Sequence, residues 1–344
     1  MLAQRMIAAA ASTPSYEKFL ALANGSADKL TIYGQQGSTF TELAPPDVMP
    51  TGNASNGIAF SADGNYLAVC NSGSGSSFLY IYKRNGNSFT KLPNPSSLPT
   101  AAARSVAFSA DGTYLAVGFS LANYIIIYKR SGDTFTQLAD PASLPTGTVN
   151  AVAFSADGTY LAVGHGTSRF ITIYKRSGDT FTKLADPATL PTSNGNGVAF
   201  SADGTYLAVA SFATPYIIIY KRSGDTFTKL TDPATLPTGP GRSCAFSTDG
   251  VYLVVGHDTS PFVTIYKRSG DTFTKLANPA TLPGAPGLGV GFSADGLFMA
   301  VAFSAANCLQ VYSRSGDAFT ALSSPTDQPS SGASALAFYP RAPY

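Results

Sequence analysis

Few side chains in this sequence could act as a base, a nucleophile or a metal ligand. The chain has only two histidines, His165 and His257, and only two glutamates, Glu17 and Glu42. A metal site needs ligands that converge within about 2 Å of one ion, and a hydrolase needs a nucleophile, a base and an orienting group that meet in space. The sequence shows neither set, so we predict no catalytic residue, no metal and no cofactor.

The three cysteines are also poor candidates for chemistry. Cys70, Cys244 and Cys308 are scattered along the chain, which is not the spacing of a disulfide framework. Cys244 occupies a position where other copies of an internal repeat have Val or Ile, so we interpret it as a buried hydrophobic residue. Free thiols of this kind favour assembly in a reducing compartment.

The elements that must position these residues come from that internal repeat. The Phe of each AFS-like segment recurs once after 48 residues and then five times after 46 residues. One copy, residues 154–199, reads FSADGTYLAVGHGTSRFITIYKRSGDTFTKLADPATLPTSNGNGVA. A period of this length is typical of solenoids and propellers. The repeated positions are Phe60, Phe108, Phe154, Phe200, Phe246, Phe292 and Phe338.

Each copy predicts four short β-strands, which we call a to d. In the copy above, strand a ends at Phe154, and strands b, c and d cover residues 160–163, 170–176 and 181–184. The Asp157-Gly158 pair favours a turn between a and b, because Asp bonds its own backbone and Gly takes positive φ. The recurring Asp is therefore interpreted as structural. Four strands in 46 residues are the signature of a propeller blade.

The two termini predict how the ring of blades closes. Residues 20–43 match strands b, c and d with no strand a before them, whereas residues 335–338 match strand a alone. One blade is therefore split between the termini, and six whole blades bring the total to seven. We predict an all-β, seven-bladed β-propeller of four-stranded antiparallel blades over residues 19–344, preceded by an N-terminal docking arm over residues 1–18.

The repeated sequence pattern VAFSADGTYLAV…ITIYKR resembles that of the WD-repeat and YVTN-type β-propellers over residues 20–338. The Trp-Asp pair of the WD repeat is replaced by Tyr-Lys, as at Tyr174-Lys175, and the Gly-His pair before strand a is missing. The hydrogen-bond network of that family is therefore not carried over. The resemblance implies the fold, but propellers host many functions.

Near-identical repeats, scarce charge and Ser/Thr/Asn-rich loops also resemble the propeller modules of bacteriophage virions, in tail or head-attached proteins. This resemblance implies a non-enzymatic structural or host-recognition protein of the virion, assembled in the host cytoplasm. Its arm, through Leu2, Met6 and Ile7, is expected to dock on other virion proteins. Three alternatives stay open: a YVTN-like lactonase or other hydrolase, a cellular WD-repeat-like interaction scaffold, and a secreted or cell-surface location.

Comparison of the repeats within the chain predicts which face recognises a partner. The strands and the c–d hairpin are almost identical between copies, whereas the b–c loop and the approach to strand a differ. Both variable segments emerge on one face, here called the top, and function tends to lie on loops held by a rigid frame. Neutral drift of tolerant loops stays open. The variable-loop residues that we select are Tyr124, His165, Arg169, Phe212, Tyr216, His257 and Asp258.

The residue four positions before each strand-a Phe is predicted to line the mouth of the central channel. Asn and Arg are good partners for sugar hydroxyls and carboxylates. Together with Tyr124, Phe212 and Tyr216 they form either a glycan- or peptide-binding platform or the wall of a water-filled channel. His165 and His257 are expected in exposed loops two blades apart. The mouth positions are Asn56, Arg104, Asn150, Asn196, Arg242, Leu288 and Ser334.

The overall charge and hydropathy exclude two classes of partner. A formal net charge of +2 is too small for a nucleic-acid surface. No stretch reaches the roughly 18 apolar residues that a membrane-spanning helix needs.

Overall fold

The computed structural model describes residues 16–25, 29–52, 57–73, 77–121, 123–325 and 327–340. These residues form twenty-eight β-strands. The described part of the chain contains no helix that is long and apolar enough to cross a membrane.

The strands form seven blades. Blade 1 contains β1 Lys18–Asn24, β2 Leu30–Gln36, β3 Thr39–Glu42 and β28 Ala333–Phe338. Blade 2 contains β4 Ile58–Phe60, β5 Tyr66–Cys70, β6 Leu79–Asn85 and β7 Ser88–Lys91. Blade 3 contains β8 Ala103–Phe108, β9 Tyr114–Phe119, β10 Ile125–Ser131 and β11 Thr134–Gln137. Blade 4 contains β12 Val149–Phe154, β13 Tyr160–His165, β14 Ile171–Ser177 and β15 Thr180–Lys183. Blade 5 contains β16 Gly195–Phe200, β17 Tyr206–Ser211, β18 Ile217–Ser223 and β19 Thr226–Lys229. Blade 6 contains β20 Gly241–Phe246, β21 Tyr252–His257, β22 Val263–Ser269 and β23 Thr272–Lys275. Blade 7 contains β24 Gly287–Phe292, β25 Phe298–Phe303, β26 Leu309–Ser315 and β27 Ala318–Ala321.

Every blade is a four-stranded antiparallel sheet in which strands a, b, c and d follow one another in order. In blade 1 the inner strand is β28, which pairs antiparallel with β1, so that Leu22 faces Leu336 and Leu20 faces Phe338. The two ends of the chain thus share one sheet, and the ring has no open edge. The predicted seven-bladed propeller with a split blade is confirmed.

The core lies between neighbouring blades, where seven apolar clusters occupy the seven interfaces. Side chains alternate along each strand, so one sheet contributes to two clusters. In β14, Ile171 and Ile173 pack toward blade 5, whereas Tyr174 packs toward blade 3. The hydroxyl of Tyr174 donates to the carbonyl of Ser143, at 2.8 Å, which ties the linker between blades 3 and 4 to the sheet.

Charged residues of the c–d hairpins connect neighbouring blades. These hairpins lie on the face opposite the top, here called the bottom. Asp179, in the c–d turn of blade 4, accepts from the hydroxyl of Tyr114 in blade 3, at 2.6 Å, and from Lys129 Nζ of blade 3, at 2.8 Å. The guanidinium of Arg176 lies over the ring of Tyr114, 4.8 Å from its centroid. Asp179, Tyr114, Lys129 and Arg176 thus form a group of contacts between blades 3 and 4, here called a latch.

Candidate functional site at the channel mouth

A β-bulge near the start of strand a determines which side chain points into the channel. In blade 4, Val149 pairs with His165 and Ala151 pairs with Gly164, so Asn150 lies outside the ladder. A bulge of this kind bends the strand and redirects the extra side chain. The same register shift occurs in five other blades, including the split one. The residues left out of the ladder are Arg104, Asn150, Asn196, Arg242, Leu288 and Ser334.

These six bulged residues line one cavity of about 200 Å³ at the top of the channel. Two arginines and two asparagines form an arc across blades 3 to 6, and Leu288 and Ser334 complete the wall. Asn56, the seventh predicted mouth residue, lies outside the described residues. The structure therefore places six of the seven selected positions together, and their role in binding stays a prediction.

Below the rim, residues of all seven inner strands line a second cavity of about 170 Å³. Small residues such as Ser105, Ala151 and Gly197 line it, together with one larger side chain from each inner strand, here called the neck residues, most of which are β-branched. Cys244 is the one thiol of this ring; burial raises its pKa to about 12, so it behaves as a small hydrophobic residue, as the sequence indicated. The neck residues are Ile58, Val106, Val152, Val198, Cys244, Val290 and Leu336. The site is thus a polar rim above a level of the channel that small residues and the neck residues line.

The two asparagines of the rim are held by the next blade. Asn196 Nδ2 donates to the carbonyl of Gly241, at 2.9 Å, and Asn150 Nδ2 donates to the carbonyl of Gly195, at 3.4 Å. Since the amide nitrogen faces the protein, the amide oxygen is available to accept from a ligand hydroxyl. The arc therefore offers both acceptors and cationic donors.

Arg242 is fixed by contacts from two variable loops. Its Nε donates to Asp258 Oδ1, at 2.7 Å, and its Nη2 donates to Asp258 Oδ2, at 2.6 Å. Its guanidinium also lies over the ring of Phe212, 5.7 Å from the centroid. The sequence selected all three residues but did not pair them, because the pairing depends on the bulge that turns Arg242 toward blade 5. Asp258 itself lies behind Arg242 and does not line the cavity.

Both histidines are buried, which corrects their expected place in exposed loops. His165 ends β13 and His257 ends β21, and both side chains are fully buried. His165 Nε2 lies 3.1 Å from Thr172 Oγ1, and His257 Nε2 lies 2.9 Å from Thr264 Oγ1. Burial lowers the pKa of His165, and it lowers the pKa of His257 to about 4. Neither imidazole reaches the cavity, because the b strands continue further than the sequence indicated.

The other selected loop residues also lie away from the cavity. The rings of Tyr124 and Tyr216 are half-buried where the b–c loops rejoin strand c. Arg169 Nη1 forms an ion pair with Asp186 Oδ2, at 2.8 Å. The expected aromatic platform is therefore reduced to Phe212, whose ring is 47% exposed. The arm residues Leu2, Met6 and Ile7 lie outside the described residues, and their docking role stays a prediction.

A metal site is not formed by the described part of the chain, where no three His, Cys, Asp or Glu side chains come together. The three described cysteines are free and buried. What the mouth assembles is instead a pair of guanidinium groups and a pair of amides, an arrangement that binds and polarises oxygen atoms.

A family model described as "Lactonase, 7-bladed beta-propeller" matches residues 9–189, which is more than half of the sequence. The chain belongs to this lactonase family. No curated protein matches the sequence. The predicted resemblance to seven-bladed propellers is confirmed, and the family is one named for a hydrolytic activity.

Solved structures of low sequence identity share the fold of this lactonase-family chain. A candidate 6-phosphogluconolactonase from Bacteroides fragilis has 16% identity and a TM-score of 0.73, covering 95% of this chain and 99% of its own. One from Bacteroides uniformis has 15% identity and a TM-score of 0.75, with coverages of 93% and 99%. The periplasmic gluconolactonase of Pseudomonas aeruginosa has 20% identity and a TM-score of 0.72, with coverages of 95% and 99%.

The family membership overturns two expectations from the sequence. The prediction of a non-enzymatic virion protein is wrong, and the bacteriophage, tail and host-recognition context has no support, because the matching family is the lactonases. The prediction that the chain is not an enzyme is wrong for the same reason. Scarce charge and near-identical repeats are properties of the scaffold, and they carry no information about the few residues at the channel mouth.

Proposed function

We propose that this protein hydrolyses a lactone of a sugar acid at the mouth of its central channel. The observation that supports the proposal most directly is the arc of Arg104, Asn150, Asn196 and Arg242 around one cavity, in a chain that belongs to the lactonase family. Guanidinium groups are suited to anionic and carbonyl oxygens, and amide oxygens are suited to hydroxyl groups. A sugar-acid lactone contains all of these groups.

The reaction requires the addition of water to the lactone carbonyl. The water oxygen attacks the carbonyl carbon, and the carbonyl oxygen becomes an oxyanion. The bond from that carbon to the ring oxygen then breaks, and the ring oxygen takes the proton released by the water, which gives the open hydroxy acid. A fixed cationic donor at the carbonyl oxygen stabilises the oxyanion, and such a donor accounts for roughly 10²–10³ in rate.

The described residues that line the cavity include no imidazole and no carboxylate. The protein therefore acts mainly by positioning the lactone and by stabilising negative charge on its carbonyl oxygen. Lactones hydrolyse in water without a catalyst, so this electrophilic assistance suffices for a catalyst of modest power. The geometry thus favours acceleration of an intrinsically facile reaction.

The experiment is a hydrolysis assay on the purified chain with D-glucono-1,5-lactone and with its 6-phosphate, following acid release above the spontaneous rate. We expect catalysis of at least one substrate. The variant Arg242→Gln should lose about 10²-fold in kcat. The matched control is Lys129→Gln, which removes an exposed cation from the bottom face and should leave the rate unchanged. Absence of catalysis with every sugar lactone tested, or equal loss in both variants, would overturn the proposal.

A further inference from the structure

Among the described residues, the latch between blades occurs at five interfaces and is missing at the two that border blade 1. In each of the five, a strand-b Tyr hydroxyl and a strand-c Lys of one blade both donate to the hairpin Asp of the next blade. Both interfaces without it belong to the blade that combines the first strands with the last. The five carboxylates are Asp133, Asp179, Asp225, Asp271 and Asp317.

At the interface of blades 7 and 1 the residue types exclude a latch. Phe298 stands where the latch has Tyr, Ser313 where it has Lys, and Ser38 where it has Asp. The polar connection at this place is an ion pair from Lys18 Nζ to Asp295 Oδ2, at 2.6 Å. The Lys18 side chain is half exposed, and an exposed ion pair contributes little to stability. This interface therefore has a weaker polar connection than the five with a latch.

Blade 1 is also where the covalent continuity of the ring changes. The chain runs from strand d of each blade to strand a of the next, but the linker after β27 leads to β28, whereas β1–β3 continue to blade 2. The strands β28 and β1 are joined by their hydrogen-bonded ladder and not by a turn. Separation of β1–β3 from β28 and from blade 7 would therefore open the ring and leave blades 2 to 7 intact.

Tyr339, the residue after β28, extends past blade 1 and reaches blade 2. Its backbone N–H donates to the carbonyl of Phe19 in blade 1, at 2.8 Å. Its ring meets the rings of Phe19 and Phe60 edge to face, with centroid distances of 5.3 and 5.6 Å. Arg84 Nη2 of blade 2 donates to its hydroxyl, at 3.1 Å, and the guanidinium lies 5.1 Å from the ring centroid. The strand that blade 7 leads to is thus tied directly to blade 2.

The hydroxyl of Tyr339 takes the place of a carboxylate that blade 1 does not supply. At another interface the corresponding Arg pairs with the Asp of the a–b turn in the preceding blade, as Arg314 Nη1 does with Asp249 Oδ2, at 2.7 Å. Strands a and b of blade 1 are β28 and β1, which no turn connects, so the equivalent Asp does not exist. Arg84 bonds Tyr339 instead. This pair of residues is here called the clasp.

We propose that the clasp controls a local opening of the ring at blade 1. While Arg84 holds Tyr339, β28 is fixed to blade 2 as well as to blade 7. When the clasp is released, β1–β3 separate from β28 and from blade 7, and the five latched interfaces stay closed. Local openings of this kind arise where a fold has its weakest contacts. Because Ser334 of β28 lines the cavity, the opening loosens the mouth on the side away from the arc of Arg and Asn. This device does not depend on the proposed function.

Hydrogen exchange of the full chain, followed by mass spectrometry, locates the opening. We expect the paired amides of β1 and β28 to exchange about 10–100-fold faster than the equivalent amides of β13 and β12 in blade 4. Blade 4 is the matched control, because a turn joins its strands a and b and both of its interfaces have a latch. Equal protection in the two blades would overturn the proposal.

The clasp itself is tested by Tyr339→Phe, which keeps the ring and removes the acceptor for Arg84. We expect exchange in β1 and β28 to become about 3–10-fold faster, while exchange in blade 4 does not change. Tyr160→Phe, which removes a latch hydroxyl at the interface of blades 4 and 5, is the control and should not accelerate exchange in β28. Unchanged exchange in Tyr339→Phe, or equal acceleration in every blade, would refute the role of the clasp.

A latch can also be built at the interface of blades 7 and 1. The triple variant Phe298→Tyr, Ser313→Lys, Ser38→Asp supplies the hydroxyl, the ammonium and the carboxylate at the equivalent positions. We expect exchange in β1 and β28 to slow by about 10-fold, also when Tyr339→Phe is present, because a charged hydrogen-bonded group now resists the opening. Phe298→Tyr alone is the control and should stay within about 2-fold of the wild type. A folded triple variant without slower exchange would show that the missing latch does not set the place of opening.

Discussion

The hydroxyl of Tyr114 in blade 3 donates to Asp179 Oδ1 in the hairpin of blade 4, at 2.6 Å, and also to the carbonyl of Gly178, at 3.0 Å. The same contact recurs at four other interfaces, from blade 2 through blade 7. The hydrogen bond from Lys129 lowers the pKa of Asp179, which keeps the acceptor charged. This latch connects neighbouring blades at five of the seven interfaces.

Replacing one latch tyrosine should lower stability. Tyr114→Phe keeps the buried ring but removes the donor to Asp179, so we expect Tm to fall by about 2–4 °C. Thermal unfolding followed by circular dichroism measures the change. An unchanged Tm would show that the hydroxyl contributes nothing to the interface.

The chain provides a matched control for this variant. Blades 1 and 7 have Phe19 and Phe298 where the other five blades have Tyr. The hairpins of blades 1 and 2 have Ser38 and Asn87 where the other five have Asp. Phe298→Tyr therefore adds a hydroxyl without the carboxylate acceptor and should change Tm by less than about 1 °C. Lys129→Met, which breaks only an exposed ion pair, should lower Tm by less than about 1 °C.

Acid should destabilise the protein partly through His257. Burial lowers the pKa of its imidazole to about 4, from about 6.5 in the unfolded chain. The unfolded state therefore binds the proton first as the pH falls, and stability present above pH 6.5 is lost progressively down to about pH 4. We expect a loss on the order of 2–3 kcal/mol from this group, measured as the urea midpoint between pH 7 and pH 4.

The control uses residues that another blade of the chain has at the equivalent positions. Blade 3 has Phe119 and Ile126, which belong to one apolar cluster, at the positions that His257 and Thr264 occupy in blade 6. The double variant His257→Phe, Thr264→Ile should flatten the pH dependence by the stated amount, whereas the carboxylates still contribute the rest. A pH dependence identical to the wild type would contradict the buried neutral imidazole.

The pH dependence of kcat should show no contribution from the titration of a histidine. The described residues that line the mouth include no imidazole or carboxylate, and His257 is buried away from it. We expect kcat, corrected for spontaneous hydrolysis, to show no inflection between pH 6 and pH 8, because no group at the mouth serves as a base. An inflection near pH 6.5 that His257→Phe removes would show that the imidazole takes part.

Sequence analysis predicted the architecture well, because equivalent residues recur at a nearly constant spacing along the chain. Seven copies of the Phe of strand a, with copies of b, c and d before the first, fix both the number of blades and the closure at β28 and β1. The position four residues before that Phe also identifies the mouth. The contacts of Arg242 with Asp258 and Phe212 could not be predicted, because they depend on a bulge in β20 and on loops from two blades. The sequence placed His257 in an exposed loop, because the apolar residues that indicate strand b end before it. In the structure strand b of blade 6 continues to His257, which is buried.

Close packing of the inner strands should make the rim sensitive to a single methyl group. A Cβ at Gly197 would lie 2.8 Å from Ser243 Cα and 3.2 Å from the carbonyl oxygen of Arg242. Both contacts are to backbone, so Gly197→Ala must push strand β20 outward and shift Arg242. We expect a loss of about 1–3 kcal/mol in unfolding free energy and a fall in kcat, measured by urea unfolding and by the lactone assay. Gly166→Ala is the matched control, because its Cβ would meet nothing closer than 3.8 Å, and full activity in both variants would mean that the rim does not depend on this contact.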